Sequence, residues 1–311
     1  MSAATCLERV ADALGALAQR DAPLGARTTY RVGGTAAILV DATSTADLAA
    51  VAAAIEGSAL DVVVLGRGSN MLVADGGFDG LAITLGGSFE SIEVADDVVD
   101  GALVRAGGAV ALPVLARRLA DQGLTGLEWA VGVPGSVGGA VRMNAGGHGS
   151  DTASSLHDAE VFSLKDATTS VRAAASLELS YRHSNLAPHD VVTAATFRAR
   201  RGDAVAARRA IADIVRWRRE HQPGGPNAGS VFTNPPGDHA GRLVELAGAK
   251  GLRHGTAMVS EKHANFIQAD PGGRADDVLA LIEEVAALVA AHAGVTLSTE
   301  VVLVGYPGVR W

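Results

Sequence analysis

The first hundred residues alternate between short apolar runs and one helical pattern. The apolar run at residues 36–40 predicts a strand. A helix is predicted over residues 46–55, because Ser44 or Thr45 can cap its N-terminus and Asp47 lies in its first turn. The β-branched run at residues 61–65 predicts a second, buried strand. Together these segments predict a βαβ unit followed by a glycine loop.

The residues after this glycine loop exclude a dinucleotide-binding Rossmann unit. Such a unit opens a helix at its glycines and carries an acidic residue about 20 positions later. Here residues 71–73 and 81–85 have the composition of strands and flank the turn Gly76-Gly77. We therefore predict a strand, a turn and a strand.

Further elements are predicted to the end of the chain. Leu112, Leu115 and Leu119 recur at helical spacing, which predicts a helix over residues 109–122. Strands are predicted between residues 92 and 104, and at residues 159–163, 191–198, 264–268 and 300–304. Helices are predicted at residues 203–221, 239–249 and 275–293. The composition changes near residue 200, which predicts a domain boundary at about residue 201 and a small α+β domain after it.

Composition narrows the class of protein. The net charge of −8 argues against nucleic acid or an anionic membrane as the main partner. Cys6 is the single cysteine, so neither an intrachain disulfide nor a cysteine-rich zinc site can form, and no metal-ligand motif is present. Residues 1–20 resemble an amphipathic helix and not a signal peptide. No apolar stretch reaches the ~18–20 residues of a membrane span, so we expect a cytoplasmic protein.

Glycine is abundant and clustered. The chain has 38 glycines in 311 residues, and they concentrate at residues 66–70 and 132–149. Backbone N–H groups in such loops can converge on a diphosphate, while neighbouring Ser and Asn side chains add neutral donors. Each loop could equally be an ordinary tight turn. Two loops of this density within one domain favour an organic cofactor.

Three other residues could take part in chemistry, although spacing alone does not decide it. Arg182 lies at a strand–loop junction and could be an ordinary surface arginine. Ser230 follows Gly229 and could be a turn or cap serine. Glu300 begins an apolar run, where partial burial could tune its pKa, or it could be an exposed residue at the start of a strand.

The chain resembles the UDP-N-acetylenolpyruvoylglucosamine reductase (MurB) family over about residues 25–305. No single motif is specific, but the whole set in this order is. The matching strings are Thr29-Tyr30-Arg31-Val32-Gly33-Gly34, Leu65-Gly66-Arg67-Gly68-Ser69-Asn70-Met71-Leu72, Gly132-Val133-Pro134-Gly135-Ser136-Val137-Gly138-Gly139, Met143-Asn144-Ala145-Gly146, Ser180-Tyr181-Arg182-His183-Ser184, Ala228-Gly229-Ser230-Val231-Phe232, Ser260-Glu261-Lys262-His263-Ala264-Asn265-Phe266-Ile267 and Ser298-Thr299-Glu300-Val301.

The resemblance implies an α+β fold with an FAD-binding domain of the vanillyl-alcohol-oxidase (PCMH) type and a smaller C-terminal α+β substrate-binding domain. The expected division is an N-terminal helix at residues 1–24, the FAD-binding domain at residues 25–201 and the substrate-binding domain at residues 202–311. The implied enzyme is an oxidoreductase of peptidoglycan precursor synthesis. It uses NADPH, through FAD, to reduce UDP-N-acetylglucosamine enolpyruvate to UDP-N-acetylmuramate, and no obligate protein partner is evident.

The resemblance also implies roles for individual residues. Arg182, Ser230 and Glu300 match the catalytic residues, with Ser230 as the proton donor. The residues that match the nucleotide-sugar contacts are Tyr181, Asn234, Lys250 and His263. The residues that match the cofactor contacts are Gly66, Arg67, Gly68, Ser69, Asn70, Gly132, Gly135, Ser136, Gly138, Gly139 and Asn144.

One departure from the family pattern and two other classes of function stay open. Thr233 stands where a lysine is common, which puts one phosphate or carboxylate contact in doubt.

A related flavoprotein oxidase that acts on an alcohol or lactone would not need Arg182, Ser230 and Glu300 together. A nucleotide-sugar-binding protein without catalysis would not be expected to retain them.

Overall fold

The computed structural model describes residues 3–98 and 101–307. The helices within these residues are α1 (Ala3–Leu14), α2 (Thr45–Ile55), α3 (Leu112–Asp121), α4 (Val137–Met143), α5 (Ala204–His221), α6 (Ala240–Leu246) and α7 (Ala275–Ala293). The strands are β1 (Gln19–Pro23), β2 (Thr35–Ala42), β3 (Val62–Leu65), β4 (Met71–Val73), β5 (Phe78–Leu85), β6 (Ile92–Val98), β7 (Gly101–Gly107), β8 (Leu124–Thr125), β9 (Gly146–Gly147), β10 (Ser150–Asp151), β11 (Leu156–Ser163), β12 (Thr168–Ala173), β13 (Asp190–Arg201), β14 (Arg253–His254), β15 (Ala257–Val259), β16 (Ile267–Ala269) and β17 (Val302–Val304).

The chain forms two compact units, and neither is a continuous segment. The first unit consists of Met1–Arg20, Ile38–Arg67 and Gly80–Arg218. The second unit consists of Asp21–Ala37, Gly68–Asp79 and Arg219–Trp311. The second unit therefore combines two short N-terminal segments with the C-terminal third. The predicted division of the sequence at residues 24 and 201 stays a prediction.

A six-stranded sheet in the first unit has the order β12-β11-β13-β7-β6, and β8 pairs with the end of β13. All of these pairings are antiparallel. The long strand β13 is buried over most of its length because α3 and α4 contribute to the same core as the sheet. Leu112, Leu115 and Leu119 of α3 are buried at the spacing that predicted this helix.

A second sheet has the order β1-β2-β5-β3, with β3 and β5 parallel. Helix α2 begins as predicted. Its N-cap Ser44 accepts a hydrogen bond from the Asp47 amide at 3.3 Å, and the Asp47 carboxylate accepts one from the Ser44 amide at 3.0 Å. Hydrogen bonds from Thr43 and Ser44 to this carboxylate lower the pKa of Asp47. This reciprocal pair is a capping box, which satisfies two amides at the helix start.

The second unit contains the sheet β14-β15-β16 and the parallel pair β4–β17. Helices α6 and α7 contribute buried residues to its core. The first turn of α7 is capped from a distant part of the sequence: Asp75 accepts hydrogen bonds from the amides of Ala275 at 2.9 Å and Asp276 at 3.2 Å. Arg274 also donates to Asp75, at 3.3 Å.

Several predicted elements differ from the observed ones in extent or in partner. The N-terminal helix ends at Leu14, and β1 occupies part of the segment predicted to be helical. The strands predicted at residues 71–73 and 81–85 exist, but β4 pairs with β17 while β5 pairs with β2 and β3. Of the strand run predicted up to residue 104, residues 99–100 lie outside the described residues. None of the helices in the described ranges combines the length and the apolar content needed to cross a bilayer.

Candidate active site

The loop at residues 66–70 presents a row of backbone donors. Within residues 3–98 and 101–307, its five amides donate to no other backbone carbonyl. Its carbonyl oxygens are used differently: Gly68 O accepts from the Thr29 amide at 3.0 Å, and Asn70 O accepts from the Val302 amide at 2.9 Å. A loop that leaves its N–H groups available and anchors its carbonyls can receive an anion.

Gly68 is required by the protein's own packing. Its φ is +59°, and an added Cβ would lie 2.6 Å from Thr28 Cα and 2.8 Å from Arg27 O. An L side chain is disfavoured at this φ. The absence of a side chain therefore holds the loop in a shape that leaves its amides available.

Three amides of the second glycine cluster have partners inside the protein. Val137 N donates to Val110 O and Gly138 N donates to Gly108 O, both at 2.9 Å. Gly139 N donates to Ser136 Oγ at 3.3 Å, which caps α4. These three N–H groups at the start of α4 are therefore engaged. An added Cβ on Gly138 would lie 3.1 Å from Val192 O, so this glycine permits close packing of helix on sheet.

The other predicted cofactor residues lie around these loops. Gly66 packs against Ser136, since an added Cβ would lie 2.5 Å from its Oγ. Gly132 similarly leaves room for the ring of His148. Arg67 is exposed and Ser69 is half-buried. The assignment of these residues, and of Gly135, to a cofactor stays a prediction.

Asn144 is buried at the end of α4 in the left-handed conformation, with φ +39°. Its Nδ2 donates to Ser180 O at 2.9 Å and to Asp151 Oδ2 at 3.2 Å, and its Oδ1 accepts from the Ala153 amide at 2.9 Å. This side chain therefore joins three segments of the first unit. Its predicted contact with a cofactor stays a prediction.

Arg182 lies at the tip of a two-residue turn in the first unit. Ser180 and His183 exchange two backbone hydrogen bonds of 3.1 Å, and Arg182 has φ +56°. The guanidinium donates to Gly146 O at 3.2 Å, and its Cζ lies 5.0 Å from the centroid of the Tyr181 ring. Half-buried and stacked on an aromatic ring, this cation is held in a defined direction.

Ser230 begins a segment of the second unit that is anchored immediately after it. Ser230 is preceded by Gly229, which has φ +76°. The Gly229 amide donates to Asn227 Oδ1 at 3.0 Å. Val231 N donates to Asn265 O at 2.8 Å. Ser230 is half-buried, whereas Val231 is fully buried. The serine therefore stands at the junction of a glycine turn and a fixed extended segment.

Glu300 is fixed beside this segment. Its amide donates to Val231 O at 2.7 Å, and its carbonyl oxygen accepts from Asn70 Nδ2 at 2.9 Å. The structure therefore brings together Ser230 and Glu300, two predicted catalytic residues that are 70 positions apart in the sequence. Asn70, predicted to contact a cofactor, holds the backbone of Glu300 from the other side.

Asn265 lies in one of the strings that resemble the family, but no functional role was predicted for it. It is 4% exposed, and its side chain binds both backbone groups of Phe232: Oδ1 accepts from the amide at 3.0 Å, and Nδ2 donates to the carbonyl at 2.8 Å. A signal was present in the sequence, since asparagine interrupts an otherwise apolar run before Phe266 and Ile267. Buried asparagine requires partners such as these.

Three of the four predicted substrate residues lie along α6. Asn234 Oδ1 accepts from the Ala240 amide at 3.0 Å, at the start of the helix. The ring of His263 faces Gly241, where an added Cβ would lie 3.4 Å from its Cε1. Lys250 donates to Glu245 at 2.9 Å, near the helix end. Tyr181, the fourth, lies in the first unit.

The pKa of the His263 side chain is lowered below its usual value. Burial is the main cause that lowers its pKa, and the positive charge of Lys250 adds to the effect, although Glu245 opposes it. Its Nδ1 accepts from the Asn265 amide at 3.3 Å, so the proton of the neutral ring belongs on Nε2. The ring also meets Phe266 edge-on, with 4.7 Å between centroids.

Comparisons with known proteins agree with these features. The family described as "FAD binding domain" matches residues 36–169, and the family described as "UDP-N-acetylenolpyruvoylglucosamine reductase, C-terminal domain" matches residues 220–304. A protein of Rubrobacter xylanophilus named UDP-N-acetylenolpyruvoylglucosamine reductase is 41% identical over 292 residues, which cover 93% of this chain and 96% of the relative. The chain belongs to the UDP-N-acetylenolpyruvoylglucosamine reductase family.

Two further relatives support this membership. A protein of the same name from Synechococcus sp. is 40% identical over 293 residues, covering 93% of each chain. The crystal structure of MurB from Thermus caldophilus is similar with a TM-score of 0.79 and 35% identity, and the alignment covers 92% of this chain and 98% of that chain. The expected α+β fold, with an FAD-binding domain and a C-terminal reductase domain, is confirmed.

The cofactor of this family's FAD-binding domain fits one glycine loop better than the other. The diphosphate of FAD is an anion that needs several N–H donors. The loop at residues 66–70 offers five amides without backbone partners in the described part of the chain. At the start of α4, the amides of residues 137–139 already have partners. The residues present therefore fit FAD through the first loop, whereas the three amides at the start of α4 are not available to it.

Proposed function

We propose that this chain reduces UDP-N-acetylenolpyruvoylglucosamine to UDP-N-acetylmuramate with NADPH, and that Arg182, Ser230 and Glu300 are its catalytic residues. The observation that supports the proposal is the hydrogen bond of 2.7 Å from Glu300 N to Val231 O. This bond holds the predicted proton donor and the predicted acidic residue on neighbouring segments.

FAD held by the loop at residues 66–70 would supply hydride transfer from NADPH to the vinyl carbon of the enolpyruvyl ether. Negative charge then develops on the carboxylate of the substrate. Arg182 binds this carboxylate, since a planar guanidinium can donate two parallel hydrogen bonds to it. The stacking of Arg182 on Tyr181 orients the guanidinium before the substrate arrives.

Ser230 donates the proton that completes the reaction at the α-carbon. A serine hydroxyl is a weak acid, so its contribution depends on position and on a site that tolerates the resulting alkoxide. The segment after Ser230 is anchored by Asn265 and by Glu300, which supports a fixed position for the hydroxyl. Glu300 assists either as a protonated donor or by orienting water.

The nucleotide-sugar is bound by Tyr181, Asn234, Lys250 and His263. A neutral imidazole that donates from Nε2 and an ammonium group suit phosphate and sugar oxygens. Thr233, which replaces the lysine common in the family, donates to Ser298 O at 3.3 Å. That hydroxyl is used within the protein, so we infer that the phosphate contact of the usual lysine is made by other residues or is missing.

Domain limits and cellular role complete the proposal. The FAD-binding domain spans residues 25–201 and the substrate-binding domain spans residues 202–311, after an N-terminal segment at residues 1–24; the two family matches support this division. The protein acts in the cytoplasm. Its product is a peptidoglycan precursor, so it serves cell wall biogenesis and thereby cell shape, the cell cycle and cell division.

The test is stoichiometric NADPH oxidation by the purified flavoprotein. We expect one NADPH to be consumed per enolpyruvyl nucleotide-sugar, with the D-lactyl ether detected by mass spectrometry. NADPH oxidation that needs oxygen and not this substrate would instead identify a flavoprotein oxidase. Binding of the substrate without turnover would identify a noncatalytic nucleotide-sugar-binding protein.

A further inference from the structure

Asn265 binds the backbone of the segment that follows Ser230. Three hydrogen bonds join it to that segment: its carbonyl accepts from Val231 N at 2.8 Å, Oδ1 accepts from Phe232 N at 3.0 Å, and Nδ2 donates to Phe232 O at 2.8 Å. Two of the three are made by its side chain. Phe232 is 2% exposed, so water cannot replace these partners.

The side chain of Asn265 pairs with the backbone N–H and C=O of Phe232, as a neighbouring strand would. The opposite edge of the same segment is joined to residues 298–300. Thr233 N donates to Ser298 O at 3.0 Å, and Glu300 N donates to Val231 O. Between them, Phe232 and Thr299 form an antiparallel β-bridge. The backbone after Ser230 is therefore held from both edges. The edge toward residues 298–300 is held by backbone contacts, whereas on the other edge two of the three hydrogen bonds come from the Asn265 side chain.

Only asparagine satisfies both Phe232 groups at this distance. Aspartate keeps the acceptor for Phe232 N but places a charged oxygen against Phe232 O. Leucine has similar volume but leaves both buried backbone groups unpaired, which is costly in a dry interior. Glutamine has the required groups on a side chain longer by one methylene, which a closely packed site does not accommodate.

We propose that Asn265 is a positioning residue for catalysis, which acts through Ser230 by fixing residues 231 and 232. This inference rests on the proposed function of Ser230 as proton donor. Because Gly229 gives the chain freedom before Ser230, the anchor after it determines where the hydroxyl lies. We call the two side-chain hydrogen bonds from Asn265 to Phe232 the clamp. Its loss therefore displaces the Ser230 hydroxyl without removing it.

The first experiment measures the two half-reactions of the flavin-loaded protein by stopped-flow absorbance. We expect Asn265→Asp to slow the reduction of the enolpyruvyl substrate by up to about 10²-fold at saturating substrate, because small displacements of a reacting group have effects of that size. Flavin reduction by NADPH should stay within about twofold of wild type, since it needs no proton on carbon. Thr256→Val is the matched control: it removes two hydrogen bonds of a half-buried residue in the same unit.

A double-mutant cycle separates positioning from general destabilisation. In the Ser230→Ala background, Asn265→Asp should slow substrate reduction by no more than about threefold, because the group it positions is already absent. Additive losses would overturn the proposal. A raised KM with an unchanged rate at saturation would also overturn it, since that result assigns Asn265 to the support of His263.

Hydrogen exchange tests the clamp without relying on turnover. In Asn265→Leu, the Phe232 amide should exchange at least about tenfold faster, because its acceptor Oδ1 is removed, while α7 keeps its protection. Unchanged exchange at this amide would refute the role of the Asn265 side chain in holding the segment. If wild-type protein fails to reduce the enolpyruvyl substrate, the proposed function fails, and the exchange measurement still decides whether Asn265 holds the segment.

Discussion

The carbonyl oxygen of Val231 accepts a hydrogen bond from the Glu300 amide at 2.7 Å. This contact places Glu300 beside the residue that follows Ser230, although 70 positions separate Ser230 and Glu300 in the sequence. Neither side chain is needed for the contact, because both partners are backbone groups. Substitutions of the Ser230 or Glu300 side chain should therefore change chemistry while leaving the local backbone in place.

Replacement of Ser230 should separate the two half-reactions. We expect Ser230→Ala to leave flavin reduction by NADPH near its wild-type rate, because that step needs no proton on carbon. Reduction of the enolpyruvyl group should slow by about 10²–10⁴-fold, the usual contribution of general acid catalysis. Stopped-flow absorbance in separate mixes measures both. Ser230→Cys should recover part of the rate, since a thiol can donate a proton from nearly the same position.

An equal effect of Ser230→Ala on both half-reactions, or no effect on either, would make Ser230 a structural turn residue.

Replacement of Arg182 should weaken binding as well as chemistry. Arg182→Gln removes a charge-assisted contact with the substrate carboxylate that exists in both the ground state and the transition state. We expect kcat/KM to fall by about 10–100-fold, with KM raised and kcat lowered. Steady-state kinetics with the enolpyruvyl substrate provide the measurement. Arg118→Gln, an exposed arginine of α3 in the same unit, is the control, and equal effects would contradict a specific role.

Substitution of Gly68 should release FAD by distorting the first glycine loop. Gly68→Val would place Cβ against Thr28 and Arg27 at φ +59°, a strained conformation that costs roughly 1–3 kcal/mol. We expect the flavin absorbance at about 450 nm to be lost and the urea midpoint of unfolding to be lower. Gly76→Ala is the matched control, because its Cβ would enter open space. Full flavin occupancy in Gly68→Val would rule out this loop as the diphosphate site.

The contact between Asp75 and α7 should contribute to stability. Asp75→Ala removes the acceptor for the amides of Ala275 and Asp276, and the loss of a helix cap costs about 0.5–2 kcal/mol. Asp75→Asn keeps one acceptor and should cost less. Urea unfolding followed by circular dichroism gives the values, with the exposed Asp79→Ala as control. A change as small as that of the control would show that the cap adds nothing.

Acid should destabilise the fold partly through His263. Burial and Lys250 lower its pKa in the folded protein, so below about pH 6.5 the unfolded chain binds a proton more readily than the folded one. This contribution to stability is therefore present at higher pH and is lost as the pH falls. His263→Gln should reduce the drop in urea midpoint between about pH 7.5 and about pH 5.5. The exposed His292→Gln should retain the wild-type drop; a similar drop in both variants would contradict this role.

Most helices and strands were predicted correctly from the sequence, but some of their first residues and some of their pairing partners were not. Helix α7 spans the predicted residues 275–293, with Gly294 in the left-handed conformation after it. The helix predicted from residue 109 begins instead at Leu112, because Ala111 forms a β-bridge with Ser136 and Val110 O accepts from the Val137 amide at the start of α4. The strand predicted from residue 264 begins at Ile267, since Asn265 binds Phe232 instead.

The sequence by itself determined the family, the residue types available for catalysis and the positions of most helices and strands. These depend on periodicity, capping and motif order, which act over a few residues or are read directly from the chain. Only the tertiary structure decided that the amides of residues 66–70 stay available while those of residues 137–139 are used, and that Asp75 caps α7 from 200 residues away. Backbone donors and acceptors are identical at almost every residue, so their partners depend on which segments burial brings together.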